Sequence, residues 1–153
     1  MHTHDHKKSV VSALGIAVGA TAAATVGLPA TAHADSDTFQ TPSGNITCAM
    51  LPFNGTNRAN CQIINYTYQT PPKPPDCNTQ WGDNWHLDQG NANVPYTECH
   101  SGTNALPPIP TLDYGQTRTL GALICTSEPS GVRCTDNSTG HFFRLSRDSY
   151  QLG

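Results

Sequence analysis

Six cysteines, at positions 48, 61, 77, 99, 125 and 134, constrain this chain more than any other feature. An even number of cysteines in an exported chain with few core residues reads as a disulfide framework, here three bridges. A zinc site would need short Cys-x-x-Cys or Cys/His spacings, and there are none, so no metal and no cofactor is expected. Six cysteines allow fifteen connectivities. Sequential pairing is the simplest, because each close pair is bracketed by strand-like residues and a turn: Cys48–Cys61, Cys77–Cys99 and Cys125–Cys134. By loop-closure entropy each bridge contributes about 3 kcal/mol. A whole domain nets only about 5–15 kcal/mol, so the reduced chain is expected not to hold its fold. Paired sulfurs are not thiolates, which removes the cysteines as nucleophiles.

The exported compartment is itself an expectation from the N-terminus. Lys7 and Lys8 precede an uncharged stretch over residues 10–28, and Ala32-His33-Ala34 forms a small-x-small cleavage site before Asp35. Residues 1–34 therefore read as a cleaved signal peptide and residues 35–153 as one domain. A retained anchor fits less well, since the apolar stretch is rich in Gly, Ala and Thr, ends at Pro29 and runs straight into the cleavage site. No cysteine sits at that site to carry a lipid, so the product should be secreted, free or associated with the cell wall, with no membrane anchor after processing. The tract His2-Thr3-His4-Asp5-His6 has imidazoles on alternate residues that could share an ion, but it falls in the removed part and reads as a polar start to the signal. The remaining chain has six basic against ten acidic side chains, so it lacks the positive charge that phosphate backbones require and nucleic acid is not expected as a partner.

Nearly half of residues 35–153 are Asn, Thr, Ser, Gly or Pro, and no stretch sustains apolar residues at helical spacing. The fold class expected is mostly β: a small disulfide-stapled antiparallel domain with long Pro/Gly-rich loops. Strands are predicted over Asn45–Met50, Asn60–Tyr68, Thr117–Thr126, Gly131–Thr135 and His141–Ser146. Glu128-Pro129-Ser130-Gly131 is a turn between the arms that carry Cys125 and Cys134, hence a disulfide-clamped hairpin. The pattern of strand, Cys, turn, Cys occurs twice, around Cys48/Cys61 and around Cys125/Cys134, an internal echo too short to separate similar hairpins from duplication. Pro71-Pro72-Lys73-Pro74-Pro75 and Leu106-Pro107-Pro108-Ile109-Pro110 read as stiff connectors flanking a middle segment that is expected to be irregular, with one short helix.

Thr41-Pro42-Ser43-Gly44-Asn45-Ile46-Thr47-Cys48, Pro75-Asp76-Cys77 with Trp81-Gly82, Leu112-Asp113-Tyr114-Gly115, Gly131-Val132-Arg133-Cys134 and Thr139-Gly140-His141-Phe142-Phe143-Arg144-Leu145-Ser146-Arg147 with Tyr150 follow one another in an order and spacing that resembles a family of small secreted actinobacterial proteins, common in mycobacteria, that is a domain of unknown function. The resemblance covers nearly all of residues 35–153. It implies an exported disulfide-bonded domain and no activity. The sequence departs from the family pattern at Phe142, where a Gly often follows the His, and at Cys99-His100-Ser101-Gly102-Thr103, which lacks an acidic residue before the Thr.

Chemistry-bearing residues are few. His141 follows Gly140, with Arg144, Arg147 and Asp148 close by, and a histidine beside arginines can act as an acid or base. On a strand, however, His141 shares a face with Phe143 and Leu145, which favours a packing role. There is no Gly-x-Ser-x-Gly, His-Glu-x-x-His or Ser-x-x-Lys. A glycosidase needs only two carboxylates, and Glu98 with Asp83 or Asp88 supplies such a pair on paper. Trp81 and Trp85 with Tyr96 can stack on sugar rings, the alternative being a place in the core. His141 and Arg144 complete the set of ligand-binding candidates. Asp83, Asp88, Asn91 and Asn93 carry oxygen ligands but not at EF-hand spacing. Asn45, Asn54, Asn65 and Asn137 begin Asn-x-Ser/Thr sequons, a number that the abundance of Asn and Thr explains.

No catalytic set emerges, so the reading leans away from an enzyme. It favours a binding or interaction module at the cell envelope or in the medium, with cell-wall polymer or an extracellular protein as partner. The first alternative is an envelope-directed hydrolase using carboxylates or His141. The second is a secreted enzyme inhibitor presenting the constrained segment 126–133.

Overall fold

The computed structural model describes residues 37–103 and 107–153. Residues 1–34, which the sequence suggests are a signal peptide, lie outside the described residues with their four histidines. Among the described residues ten strands form two antiparallel sheets, each a five-stranded meander in which sequence neighbours are spatial neighbours. The first contains β1 (Asp37–Gln40), β2 (Ile46–Phe53), β3 (Thr56–Ile63), β4 (Asn84–Asp88) and β5 (Tyr96–Thr97). The second contains β6 (Thr117–Leu120), β7 (Leu123–Glu128), β8 (Gly131–Asp136), β9 (Phe142–Ser146) and β10 (Tyr150–Leu152). There is no helix among the described residues, so the short helix expected in the middle segment is replaced by β4 and β5.

Alternation of apolar side chains builds the core between the sheets. Cys48 and Met50 of β2, Cys61 and Ile63 of β3, Trp85 and Leu87 of β4, Cys125 of β7, Val132 and Cys134 of β8, and Phe143 and Leu145 of β9 all point inward and are buried. Leu112, on the connection between the sheets, joins them. That connection lies along β1: Gln40 N donates to Pro110 O and Leu112 N donates to Gln40 O, so the backbone edge of β1 at Gln40 is already paired.

All six cysteines are bonded, Cys48–Cys61, Cys77–Cys99 and Cys125–Cys134. Cys48 stands directly opposite Cys61, and Cys125 directly opposite Cys134, with Cα separations of 4.1 and 4.0 Å, the close pairing of an antiparallel ladder. The internal echo in the sequence thus has a structural counterpart, for each bridge clamps the second and third strands of its own meander.

Strand ends differ from the sequence expectation for local reasons. Asn54 and Gly55, both at positive φ, form a two-residue turn of the type I′ kind, which starts β3 at Thr56 rather than Asn60. β3 ends at Ile63 rather than Tyr68 because Asn45 captures the next residues: Ile64 N donates to its backbone carbonyl and Asn65 N to its side chain. The single strand expected over Thr117–Thr126 is two, folded back at Gly121-Ala122 with Leu120 paired to Leu123.

Candidate functional site

The outer face of the first sheet is unlike an ordinary solvated sheet face. β3 presents Arg58, Asn60 and Gln62 there, and β4 presents Asp88, His86 and Asn84 directly opposite them. Polar residues on an outward face are normally wet, yet Arg58, Gln62, Asn84 and His86 are each buried. Phe53 and Tyr96 lie against Arg58, and segment 98–102 lies against His86 and Gln62 through Glu98 and Gly102. That segment is tied down by the Cys77–Cys99 bridge, by a backbone pair between Gln80 and His100, and by the Gln62 amide donating to Gly102 O at 3.3 Å.

Each charge in this stripe is matched, as burial requires. Arg58 forks onto Asp88 (Nε–Oδ1 2.5 Å, Nη2–Oδ2 3.0 Å), donates to the Tyr96 hydroxyl, and lies 3.4 Å above the Phe53 ring. Burial would raise the Asp88 carboxyl, but hydrogen bonds from Arg58 and Tyr96 outweigh it and hold it below its usual range. Tyr96 is pushed up to about 12 by burial and by its bond to Asp88. His86 stacks on Tyr96 and receives the Asn60 amide on Nδ1 at 3.2 Å. Burial, then the nearby Arg58 charge, lowers its pKa to about 4, so the ring is neutral at ordinary pH. Its Nε2 is buried without a hydrogen bond, 3.8 Å from the half-exposed Glu98 carboxylate.

At the Gln62–Asp83 end the stripe opens into a cleft of about 630 Å³. Trp81, Tyr66, Ile64, Ile109 and Pro107 supply its apolar surface; Gln40, Gln62, Gln80, Thr47 and Asp83 supply the polar groups. Apolar walls with a few placed polar groups are the usual make-up of a ligand site. The two rings are rigidly held. Trp81 Nε1 donates to Pro71 O at 3.0 Å, so the polyproline connector fixes the indole. The next residue, Gly82, has φ +81°, and a methyl there would overlap Thr70, so only glycine permits this approach. Tyr66 stacks on Tyr68 with ring centres 4.5 Å apart, Tyr68 meets Tyr150 edge-on at 5.1 Å, and Tyr150 stacks on core Trp85 at 4.4 Å. A column of four rings thus links the cleft wall to the core. The carboxylate at the cleft, Asp83, is fully engaged: Oδ1 meets His100 Nε2 at 3.0 Å and Oδ2 accepts from the Gln62 amide at 3.1 Å.

Of the residues singled out by the sequence, Trp81 and Asp83 line the cleft. Trp85 does not: it is 1% exposed, facing inward because Trp85 and Leu87 are the apolar alternates of β4, and it cannot stack on a ligand. Tyr96 belongs to the buried stripe. Arg144 ties the β7–β8 turn, with Nε to Glu128 at 2.9 Å and Nη2 to Ser130 Oγ at 2.8 Å. His141 has both ring nitrogens near main-chain oxygens, Nδ1 at 3.1 Å from Gly153 O and Nε2 at 3.2 Å from Ala92 O. Tyr66 and the glutamines 40, 62 and 80 escape sequence reading. The one available signal was Tyr66 and Tyr68 at alternate positions before the polyproline run. The Sγ atoms of Cys48, Cys61 and Cys134 cluster within 4.8 Å, but all three are disulfide-bonded and none is a thiolate ligand.

No curated protein and no solved structure matches the chain. One family model does match, over residues 20–152, which is nearly the whole length and includes every strand and all six cysteines. The chain belongs to DUF6636, a family of unknown function.

Proposed function

We propose that this protein is an exported, non-enzymatic module that binds a polysaccharide of the cell envelope through the Trp81–Tyr66 cleft. The observation that carries the reading is the pair of pre-positioned rings beside amide side chains. Flat aromatic faces take the apolar face of a sugar, and amides meet its hydroxyls. Rings already locked by Pro71 and by the tyrosine column lose little entropy on binding. Export is supported by the signal-like segment 1–34 and by three disulfides, and among the described residues no helix is long and apolar enough to cross a membrane.

Against hydrolysis by His141 stand its two carbonyl partners. Against a two-carboxylate mechanism stands the engagement of Asp83 and Asp88, each offered by the sequence as a partner for Glu98. Glu98 beside the unpartnered Nε2 of His86 is the observation that keeps a carboxylate hydrolase as the second reading. The inhibitor reading would rest on a hairpin rather than an irregular loop, because residues 126–128 and 131–133 are strand on either side of the Pro129-Ser130 turn.

The test is co-sedimentation of the oxidised domain with purified envelope polysaccharide, followed by mass analysis of the polymer. Saturable binding with unchanged polymer mass is expected. Polymer fragments that vanish with Glu98→Gln would put the hydrolase in its place.

A further inference from the structure

A second cleft, of about 540 Å³, adjoins the first. The two share Gly44 and Ile64 as lining residues, so they are neighbouring clefts that meet at the Ile64 side chain, which is 67% exposed. The second basin is more polar and differs in charge. Its carboxylate, Glu128, is paired with Arg144 at 2.9 Å. Its cation, Arg147, has no side-chain hydrogen bond or ion pair among the described residues, while its backbone is anchored by Thr67 N donating to the Arg147 carbonyl at 2.7 Å. Tyr114, 45% exposed, offers another ring in the same basin.

Resting on the binding reading above, we propose that the ligand is a linear glycan long enough to cross Ile64, with a neutral sugar over Trp81 and a carboxylate-bearing sugar against Arg147. Three observations converge. Two neighbouring clefts with shared lining residues suit a chain rather than a single sugar. At the Trp81 end Asp83 is already engaged and no Lys or Arg among the described residues lines the cleft, so that end selects a neutral unit. At the other end a lone guanidinium matches one carboxylate in charge and in its two-donor geometry. A peptide in extended form would seek an open strand edge, and the edge beside the first basin is taken, since Gln40 N and O are bonded to Pro110 and Leu112.

The probes are a hyaluronan hexasaccharide, which alternates N-acetylglucosamine with glucuronate, its carboxyl-reduced form, and chitohexaose, measured by calorimetry on the oxidised domain. Hyaluronan should bind about fivefold tighter than its reduced form at low salt, as expected for one exposed ion pair. Arg147→Gln should erase that difference, and added salt should shrink it. Equal affinity for both hyaluronan forms, or a difference that survives Arg147→Gln, overturns the acidic-glycan proposal while leaving the binding reading intact. Binding of hexaglutamate in place of every glycan overturns it in favour of acidic peptide. If no glycan binds and Trp81→Ala changes nothing, the binding reading fails with it.

Discussion

Cys61 Sγ lies 3.7 Å from Cys134 Sγ, so the two hairpin disulfides touch in the middle of the core, one from each sheet. The bridges therefore do two things. Each closes its own hairpin, and together they fill volume that larger apolar side chains would otherwise occupy. In a chain with this little Ile, Leu and Val, sulfur is a substantial part of the packing.

Replacing Cys48 and Cys61 together by alanine should lower stability by about 3 kcal/mol from loop closure, and by more where the lost sulfurs leave a cavity. Replacing Cys77 and Cys99 should act differently. Their bridge fastens segment 98–102 over the polar stripe and lies outside the core cluster. The sandwich should persist while amide protection falls over Asn84–Asp88. Hydrogen exchange on the two double variants distinguishes the roles.

His86 makes stability depend on pH below neutrality. Its pKa is about 4 in the folded protein against 6.5 ordinarily, so between those values the unfolded chain holds the extra proton. Stability should fall as pH drops from about 6.5 to about 4, by on the order of 3 kcal/mol at most, and His86 should add no further loss below that. Urea titrations of wild type and His86→Gln across this range check it; the variant should show the flatter profile.

Asp136 is buried at the junction of the two sheets and accepts from Gly90 N, from Ser138 N and Oγ, and from Thr139 Oγ1. Burial would raise its pKa, but these bonds override it and lower the carboxyl below its ordinary 3.8. Its contribution is present above the unfolded value and is lost as pH falls through the folded one. Asp136→Asn should cost about 1–3 kcal/mol at neutral pH, because an amide nitrogen cannot accept these donors. Thermal melts at pH 7 and pH 3 should show that the gap between variant and wild type narrows in acid.

Gly82→Ala places a methyl against Thr70 at a left-handed backbone position, at a cost of about 1–3 kcal/mol. Because Trp81 is adjacent, the same substitution should weaken glycan binding. Thr70→Gly in the same chain removes both the Cγ2 and the Cβ that the methyl would meet but not the backbone strain, so it should restore more of the melting temperature than Thr70→Ala, which keeps the Cβ. Calorimetry and melting on the single and double variants separate the two effects.

The disulfide hairpins were legible in the sequence because Cys, alternation and turn residues all fall within short stretches. β4 was not. Asn84-Trp85-His86-Leu87-Asp88 does alternate, but its polar members made it read as irregular, and nothing local announces that a distant disulfide, Cys77–Cys99, covers the polar face. β1 and β10 are short strands at sheet edges, strands only because β2 and β9 are there to pair with them. In the cleft, Trp81 stood out as a rare aromatic, whereas Tyr66 acquires its role through stacking on Tyr68, which in turn meets Tyr150 edge-on from over eighty residues away.

The most direct test of the account is a binding isotherm of the oxidised domain with soluble envelope polysaccharide, for wild type and for Trp81→Ala, with both melting temperatures recorded. The account predicts saturable binding by wild type, a loss of about tenfold or more in Trp81→Ala as expected for one stacked ring with its buried area, an unchanged fold and an intact polymer. Equal affinity in the two proteins, or a polymer shortened by wild type, would contradict it.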